Sequence, residues 1–559
     1  MIPEPTARST AAPPAAETGG RALLARRASV VSAAVLASRV LGVVREQVFA
    51  VLFGAGRELD AFITAFRIPN LLRDLFAEGA LSAAFVSTFT QYLERGGEAA
   101  AWRLASLVIN ALAVVVGILT LLGMWFAPAI VQAIAPGFAD IPGKVELTVE
   151  MTRIMFPFLL LVALAAVAIG ILNTRNIFGV PAAAAAFFNV GSIVGGLAAA
   201  YWMAPAYVHG ILGAVVTHAR APNDPAQAAR AITGMAIGTL VGGLLQLLVQ
   251  VPSLGRVGFR YRPILQPADP GLRQVMRLMA PATIGAAAVQ VNVFVNNNFA
   301  SYLGNGPVSW LNVAFRFMQL PIGLFGVALG TVTLPLVSRH VARGDRPALR
   351  RTLAESLELV GLLCLPAAAG LALFAGPVIG LIYEHGRFTV ADTTAAGQAL
   401  AAYTAGLAGY AGIKVLAPAF YALDDARTPM LVSLVSIAVN YALNWTFVRR
   451  LGFGHVGLAL STSAVALGNF GLLYVVLRRR IGSLGARLPG ALARIAVATA
   501  VMAAAAGGLD VLVAAHLPPA GALAYALRLA VAMPVAAGCF WATCRALGVA
   551  VPLPRRLRR

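Results

Sequence analysis

The sequence predicts an all-α integral membrane protein of about 14 transmembrane helices: two six-helix lobes related by a pseudo-two-fold along the membrane normal, plus two extra C-terminal helices. Three observations lead there. Of the 559 residues, 59% are hydrophobic and 12% charged, with a mean hydropathy of +0.81. A soluble protein carries about 25% charged residues, so a water-facing surface cannot be assembled from this supply. Apolar stretches long enough to cross a bilayer, about 20 residues each, recur to the C-terminus. Arginine density in the connecting segments then alternates from one loop to the next.

The first 28 residues contain Pro, Ala and Arg without a sustained apolar run, and read as a cytoplasmic tail. Candidate spans follow near 29–53, 60–91, 104–134, 147–174, 180–204, 230–253, 274–303, 308–338, 352–383, 395–422, 430–448, 453–477, 489–515 and 521–548. The first is too long for a signal-peptide core and carries internal arginines. With the N-terminus inside, the internal segments collect Arg95 and Arg103, Arg256, Arg260 and Arg262, the run Arg339 to Arg351, Arg478 to Arg480, and the basic C-terminal tail. External loops hold only Arg57, Lys144, Arg220, Arg387, Arg449 and Arg450. This is the positive-inside asymmetry, and it puts both termini in the cytoplasm. Most of the net charge of +21 is thereby a matter of orientation.

An internal duplication sets the architecture. Arg67 and Arg316 are 249 residues apart, as are Leu75 and Leu324, within the matching strings Phe66-Arg67 … Leu75-Phe76 and Phe315-Arg316 … Leu324-Phe325. Phe126, Pro128, Phe138 and Pro181 meet Phe374, Pro377, Phe388 and Pro429 at nearly the same offset. The domains are therefore a tail at 1–28, an N-lobe at 29–253, a cytoplasmic linker at 254–273, a C-lobe at 274–477, and two last spans with a basic C-terminus at 478–559. Six spans per lobe is an even number, so both lobes enter the membrane in the same direction. Parallel repeats of this kind make transporters whose substrate site lies between the lobes.

A charge at the centre of a spanning helix costs about 2.5–3.5 kcal/mol, so interior charges face a cavity or a partner. The first two spans carry Arg39, Arg45, Glu46, Asp60, Arg67, Arg73, Asp74 and Glu78. Arg39 and Glu46, seven apart, share a helix face, and Asp60, Arg67 and Asp74 repeat that spacing. In the other lobe Arg316 is followed by Gln319, and Lys414 lies within the tenth span. A guanidinium keeps its charge when partly desolvated and grips phosphate oxygens with two donors. Arg39, Arg45, Arg67, Arg73 and Arg316 together suit a phosphate- or diphosphate-bearing substrate; taken singly, each could instead snorkel or pair locally. Asp60 and Glu78 either orient the arginines or take part in ion coupling.

Other chemistries find no support. Neither lysine sits in a phosphate-binding Gly-x-x-x-x-Gly-Lys loop, and the six histidines are scattered. Asp424-Asp425 has the look of a metal-diphosphate pair but sits in a turn ended by Thr428-Pro429. Cys364, Cys539 and Cys544 form neither a disulfide framework nor a zinc site. Nucleic-acid binding lacks a basic domain or an aromatic platform.

The strings Ser38-Arg39-Val40-Leu41-Gly42-Val43-Val44-Arg45, Phe53-Gly54-Ala55-Gly56, Asp60-Ala61-Phe62, Pro69-Asn70-Leu71-Leu72-Arg73, Phe76-Ala77-Glu78-Gly79-Ala80, Ala135-Pro136-Gly137-Phe138, Gly326 to Thr331 and Lys414 to Pro418 resemble the MurJ (MviN) family of lipid II flippases, in the MOP transporter superfamily. The resemblance covers essentially all the spans, with a longer loop around 205–228. It implies movement of undecaprenyl-diphosphate-linked MurNAc-pentapeptide-GlcNAc to the outer leaflet for peptidoglycan synthesis, by alternating access, in the bacterial inner membrane. The protein would be a transporter and not an enzyme. Family-essential arginines map onto Arg39, Arg45, Arg73 and Arg316, and the last two spans onto a lipid-tail groove. No cofactor is implied beyond a coupling ion, Na+ or H+, or the membrane potential. The implied partners are lipid II, membrane lipids and, transiently, cell-wall synthesis enzymes, around a monomer.

Two features depart from the family pattern. Members often have acidic residues beside the eighth-span arginine, where this chain has Phe315 and Gln319. Some bind sodium through carboxylates in spans 7 and 11; this chain has none at 278–303 or 430–448, and Asn440 and Asn444 are the nearest substitutes. The alternatives are another exporter of the superfamily, for polysaccharide-lipid or drugs, and a membrane enzyme acting on diphosphates through Asp424-Asp425.

Overall fold

The computed structural model describes residues 16–73, 81–217, 219 and 221–549. Asp74, Glu78, Arg220, the residues before 16 and those from 550 onward lie outside the described residues. Regular structure within them is helical throughout. The N-lobe runs through α1 (Ala16–Phe53), α2 (Arg57–Arg73), α3 (Leu81–Trp125), α4 (Ala127–Ile134), α5 (Lys144–Met155), α6 (Phe158–Thr174), α7 (Gly179–Met203), α8 (Pro205–Thr217), α9 (Pro225–Leu248) and α10 (Val251–Arg256). The C-lobe follows with α11 (Pro270–Ser301), α12 (Pro307–Pro321), α13 (Ala328–Ala342), α14 (Arg346–Leu373), α15 (Ala375–Tyr383), α16 (Val390–Thr404), α17 (Leu407–Ala422), α18 (Arg427–Asn444) and α19 (Gly454–Ile481). The C-terminal pair is α20 (Arg487–Ala514) and α21 (Ala522–Ala546).

Among the described residues the apolar segments of the sequence fall on helix, and several are broken inside. Gly97, at φ +73°, parts α3 between two spans. Six residues of π-helix, Ile322–Val327, join α12 to α13 within one span. Ten helices among the described residues are long and apolar enough to cross a membrane, and eleven if α16 and α17, bent by 42°, make one span. The three remaining segments are α1, α2 and α11, and these carry the arginines, acids and asparagines described below.

Local sequence explains the starts. Asp224, Asp269 and Asp345 each accept backbone N–H groups at the head of α9, α11 and α14, with proline in the first turn. That pairing satisfies orphan donors at a helix N-terminus. Thr389 and Asp392 form a full capping box on α16. Within the segment expected as a tail at 1–28, the described residues from Ala16 onward are helical and continuous with the first span. Ala, Leu and Arg dominate that stretch and favour helix without any apolar run. The long loop at 205–228 contains α8, which buries Tyr207, Val208 and Ile211 on one side.

Two cores fill the lobes. Phe85, Phe89, Phe158 and Leu172 centre the first, and Leu400, Leu407, Leu416 and Phe420 the second. The helix α11 belongs to both: Leu272, Val275 and Met279 pack in the N-lobe core, Phe299 and Ala300 in the C-lobe core. The C-terminal pair docks on the C-lobe through Phe374 with Met502 and Leu529, and Leu362 with Ile495. Its helices are tied together by Arg528, whose Nε and Nη2 donate to Asp510 at 2.9 and 2.7 Å. A two-pronged arginine–carboxylate pair removes the cost of burying either charge alone.

Loops carrying the arginine runs share one face, called here the basic face; the connections at 54–56, 135–143, 204–224, 302–306 and 384–389 share the opposite face. On that opposite face two of the contacts between the lobes are made in related ways. The end of α1 meets the loop after α15, where Arg387 donates its backbone N–H to Val51 O at 3.0 Å. The end of α11 meets the loop after α4, where Gly137 N–H donates to Ser301 Oγ at 3.1 Å. Glycine makes the first contact feasible: a Cβ on Gly386, at φ +63°, would sit 2.4 Å from Val51 O, and one on Gly54, at φ +61°, 2.4 Å from Arg387 O.

A Gly386→Ala substitution should therefore cost about 1–2 kcal/mol for the left-handed backbone, plus the collision. Gly452→Ala is the control, since Gly452 has φ +67° with nothing within 4 Å. Thermal unfolding of the purified proteins should show the larger loss for Gly386→Ala; equal losses would contradict the close approach.

Candidate functional site at the lobe interface

Between the lobes, a carboxylate on one helix pairs with guanidinium groups from two, its own and one of the other lobe. Glu46 lies on α1, seven residues from the end of that helix. Its Oε1 is 3.8 Å from Arg45 Nη2 and forms an ion pair with Arg316 of α12. Its Oε2 accepts a hydrogen bond from Tyr383 Oη, at the end of α15, at 3.1 Å. Arg45 also lies over the Phe188 ring, 5.3 Å from its centre. The charges of Arg73 and Arg316 both act on Arg45. Two guanidiniums, Arg45 and Arg316, one from each lobe, thus pair with the one carboxylate of Glu46. Arg316 remains half exposed despite its ion pair, and Arg39 and Gln319 are exposed.

The repeat-related arginines reach across the interface in the same sense. Arg316 of the C-lobe contacts α1, and Arg67 of the N-lobe donates from Nη1 to Asn297 Oδ1 of α11 at 3.2 Å. Their partners differ in charge. Arg67 therefore stands apart from the Glu46 group, beside a neutral amide.

Asp60 is a different kind of site from the one its charge suggested. It is fully buried, and among the described residues its partners are Lys144 and the start of α12 rather than an arginine. Lys144 Nζ lies 3.1 Å from Asp60 Oδ2, and Gly306 N–H donates to the same oxygen at 2.7 Å. Ser309 gives Oδ1 its backbone N–H at 2.9 Å and its hydroxyl at 2.7 Å. Asp60 and Ser309 are 249 residues apart, the offset of the repeat, so equivalent positions of the two lobes touch each other at the pseudo-two-fold axis. A carboxylate there also complements the positive end of the α12 dipole. Lys144, assigned from sequence to an external loop, is instead buried at the head of α5. It donates further to Asn305 Oδ1 at 3.0 Å and Gly304 O at 3.3 Å, and lies 4.1 Å from the centre of the Phe138 ring. The reason is its position one residue past Gly143, which turns the chain back into the membrane.

A third cluster is uncharged. Asn440 and Asn444 of α18 both donate to Asn296 Oδ1 of α11, at 3.0 and 2.8 Å. Asn296 donates to Thr462 Oγ1 at 3.0 Å, and Ser461 donates to Asn444. The side-chain oxygens of Asn292 and Asn440 are buried without a hydrogen-bond partner. Lys414 is exposed on α17. Asp425 serves the turn before α18: Thr428 donates to it from Oγ1 and N–H, holding its carboxyl below the usual range, and Arg480 pairs with it at 2.8 Å. Asp424 sits beside it at φ +56°. No group of three or more potential metal-binding side chains occurs among the described residues.

Sequence reasoning missed Tyr383, Asn296, Asn297 and the pairing role of Lys144. Glu46 carried a signal, an acid directly after an interior arginine. Tyr383 carried none, because its partner is 337 residues away.

The geometry has counterparts. Residues 49–524 match the family described as lipid II flippase MurJ. A lipid II flippase MurJ of Burkholderia cenocepacia is 37% identical over 461 residues, covering 82% of this chain and 84% of that protein. A probable lipid II flippase MurJ of Vibrio cholerae is 36% identical over 484 residues, covering 85% and 87%. Among solved structures, a lipid II flippase MurJ in an inward closed conformation superposes with a TM-score of 0.71 at 24% identity, covering 92% of this chain and 99% of that one. An inward-facing multidrug resistance MATE transporter of the MOP superfamily gives 0.64 at 14% identity, covering 80% and 95%. The two structural likenesses establish the fold.

The buried pair yields a test of the axis. Lys144→Met leaves Asp60 a buried, less compensated charge and should lower stability by about 3–5 kcal/mol. Adding Asp60→Asn should restore part of that loss in thermal unfolding. A double variant as weak as the sum of the two single ones would rule out direct coupling.

Proposed function

The chain belongs to the lipid II flippase MurJ family, and on that premise we propose that it carries lipid II from the cytoplasmic to the periplasmic leaflet of the bacterial inner membrane. It is a transporter: a flippase moves its lipid without making or breaking covalent bonds. The observation that carries the finer reading is the excess of guanidinium around Glu46, contributed by both lobes. A diphosphate offers Arg45 and Arg316 more oxygens, and more negative charge, than the single carboxylate they now share. Cationic drugs, the alternative cargo of this fold, would be repelled by the same field.

Alternating access follows from where the polar ties are. On the opposite face the lobes are joined at Asp60, at Arg387 and at Ser301, and these ties must part for release on that side. Positive-inside charge supports a cytoplasmic basic face, and with it cytoplasmic termini. The chain acts as a monomer on this reading, with lipid II and the surrounding lipids as its partners.

For the driving ion, the asparagine cluster supports sodium over protons. None of its side chains titrates, and the unpaired oxygens of Asn292 and Asn440 are hard donors of the kind alkali and alkaline-earth ions take. Asn440→Ala should then remove any sodium dependence of transport in proteoliposomes; unchanged dependence would send the coupling elsewhere.

The main test is a depletion strain with lipid II measured on each leaflet. Arg45→Ala and Arg316→Ala proteins that reach the membrane should lose lipid II transport by about 10- to 150-fold, since each removes a charge-assisted pair worth about 1.5–3 kcal/mol from a shared site. Normal transport by either would overturn the diphosphate clamp.

A further inference from the structure

The arginine group has a fourth member that charge alone does not explain. Tyr383 is 2% exposed, and its hydroxyl donates to Glu46 Oε2. Its ring is wedged between Phe317, edge-on at 6.1 Å, and Phe388 at 5.9 Å. The residues after it are tied to three other parts of the molecule. Glu384 accepts from Tyr525 Oη of α21 at 2.9 Å, and a Cβ on Gly380 of α15 would meet the same Tyr525 ring at 2.4 Å. Arg387 donates its N–H to Val51 O of α1 and its Nη1 to Tyr207 Oη of α8 at 2.8 Å. The Tyr383 hydroxyl is thus a fixed donor aimed at one oxygen of a carboxylate whose other oxygen faces the guanidiniums.

We propose that Tyr383 is a positioning residue for substrate uptake: it holds Glu46 while an incoming diphosphate takes Arg45 and Arg316 from it. This rests on the diphosphate reading of the site. Before uptake, Glu46 is the anion that both arginines share. When phosphate oxygens replace it, Glu46 loses its cationic partners and stays behind as a carboxylate in a poorly hydrated place. The bond from Tyr383 survives the exchange and strengthens in it, because the carboxylate is then no longer shared with two cations. Removing it leaves Glu46 dependent on the arginines alone, so the diphosphate competes against a more tenacious internal anion. Tyr383 acts on the substrate only through Glu46, and its effect must vanish when Glu46 carries no charge.

The test is a cycle of binding measurements on the purified full chain, with undecaprenyl diphosphate in detergent as the probe. Tyr383→Phe keeps the ring packing and should weaken binding roughly tenfold, the value of one hydrogen bond to a charged group. Glu46→Gln should tighten binding, because the competitor is gone. In the Glu46→Gln background, Tyr383→Phe should have no further effect. Unchanged binding by Tyr383→Phe would overturn the proposal, and so would a weakening of equal size in both backgrounds, the mark of a packing effect. Arg45→Ala and Arg316→Ala are measured alongside. If they bind the probe as the parent does, the diphosphate reading itself fails and the proposal with it. If they lose binding while the cycle is flat, only the role of Tyr383 falls.

Discussion

A buried carboxylate at the junction of two lobes must be compensated or the junction opens. Asp60 meets that demand with one ammonium, two backbone N–H groups and one hydroxyl, taken from α5, the turn before α12 and α12 itself. Only Lys144 comes from the same lobe. The closed arrangement of the opposite face is therefore held by contacts that exist in full or are lost together, because half of a compensated charge costs more than none. Much else is arranged around that point. The glycine contacts at Gly54 and Gly386 bring α1 against the C-lobe, and Ser301 brings α11 against the N-lobe, on either side of the axis.

The duplication provides matched positions and then fills them with different chemistry. Position 60 is an acid and its counterpart 309 a serine, so a self-contact across the axis becomes a donor–acceptor pair instead of a repulsion. Arg67 and Arg316 lean across the interface alike, yet one finds an amide and the other a carboxylate. The asymmetry concentrates mobile charge near Glu46 and leaves Arg67 in a neutral contact. On the proposed mechanism, recognition is assigned to one side of a nearly symmetric frame.

How much of this could be read from residues alone depended on range. Spans were legible because bilayer thickness demands a run of apolar side chains that composition cannot hide. The repeat was legible because offset survives divergence, and it pairs Arg67 with Arg316. Lys144 was misjudged since one residue separates a loop lysine from the first residue of a helix, and depth is a property of packing. The breaks at Gly97 and at Ile322–Val327 lie inside apolar runs, where hydropathy has no contrast to report. Tyr383 and Asn296 were invisible for a simpler reason: their importance is made by partners on distant helices.

The shared position of α11 has a consequence for anyone who treats the lobes as exchangeable modules. Its first turns are core residues of the N-lobe and its last turns core residues of the C-lobe. A chimera joined at the linker before Pro270 would pair a foreign α11 with native partners at Phe85 and Phe89, and mismatch would appear in the half of the protein that had not been replaced. The natural seam for grafting lies within the helix, between Met279 and Phe299, although the chain shows no loop there. Covalent boundaries and packing boundaries part company at this one helix.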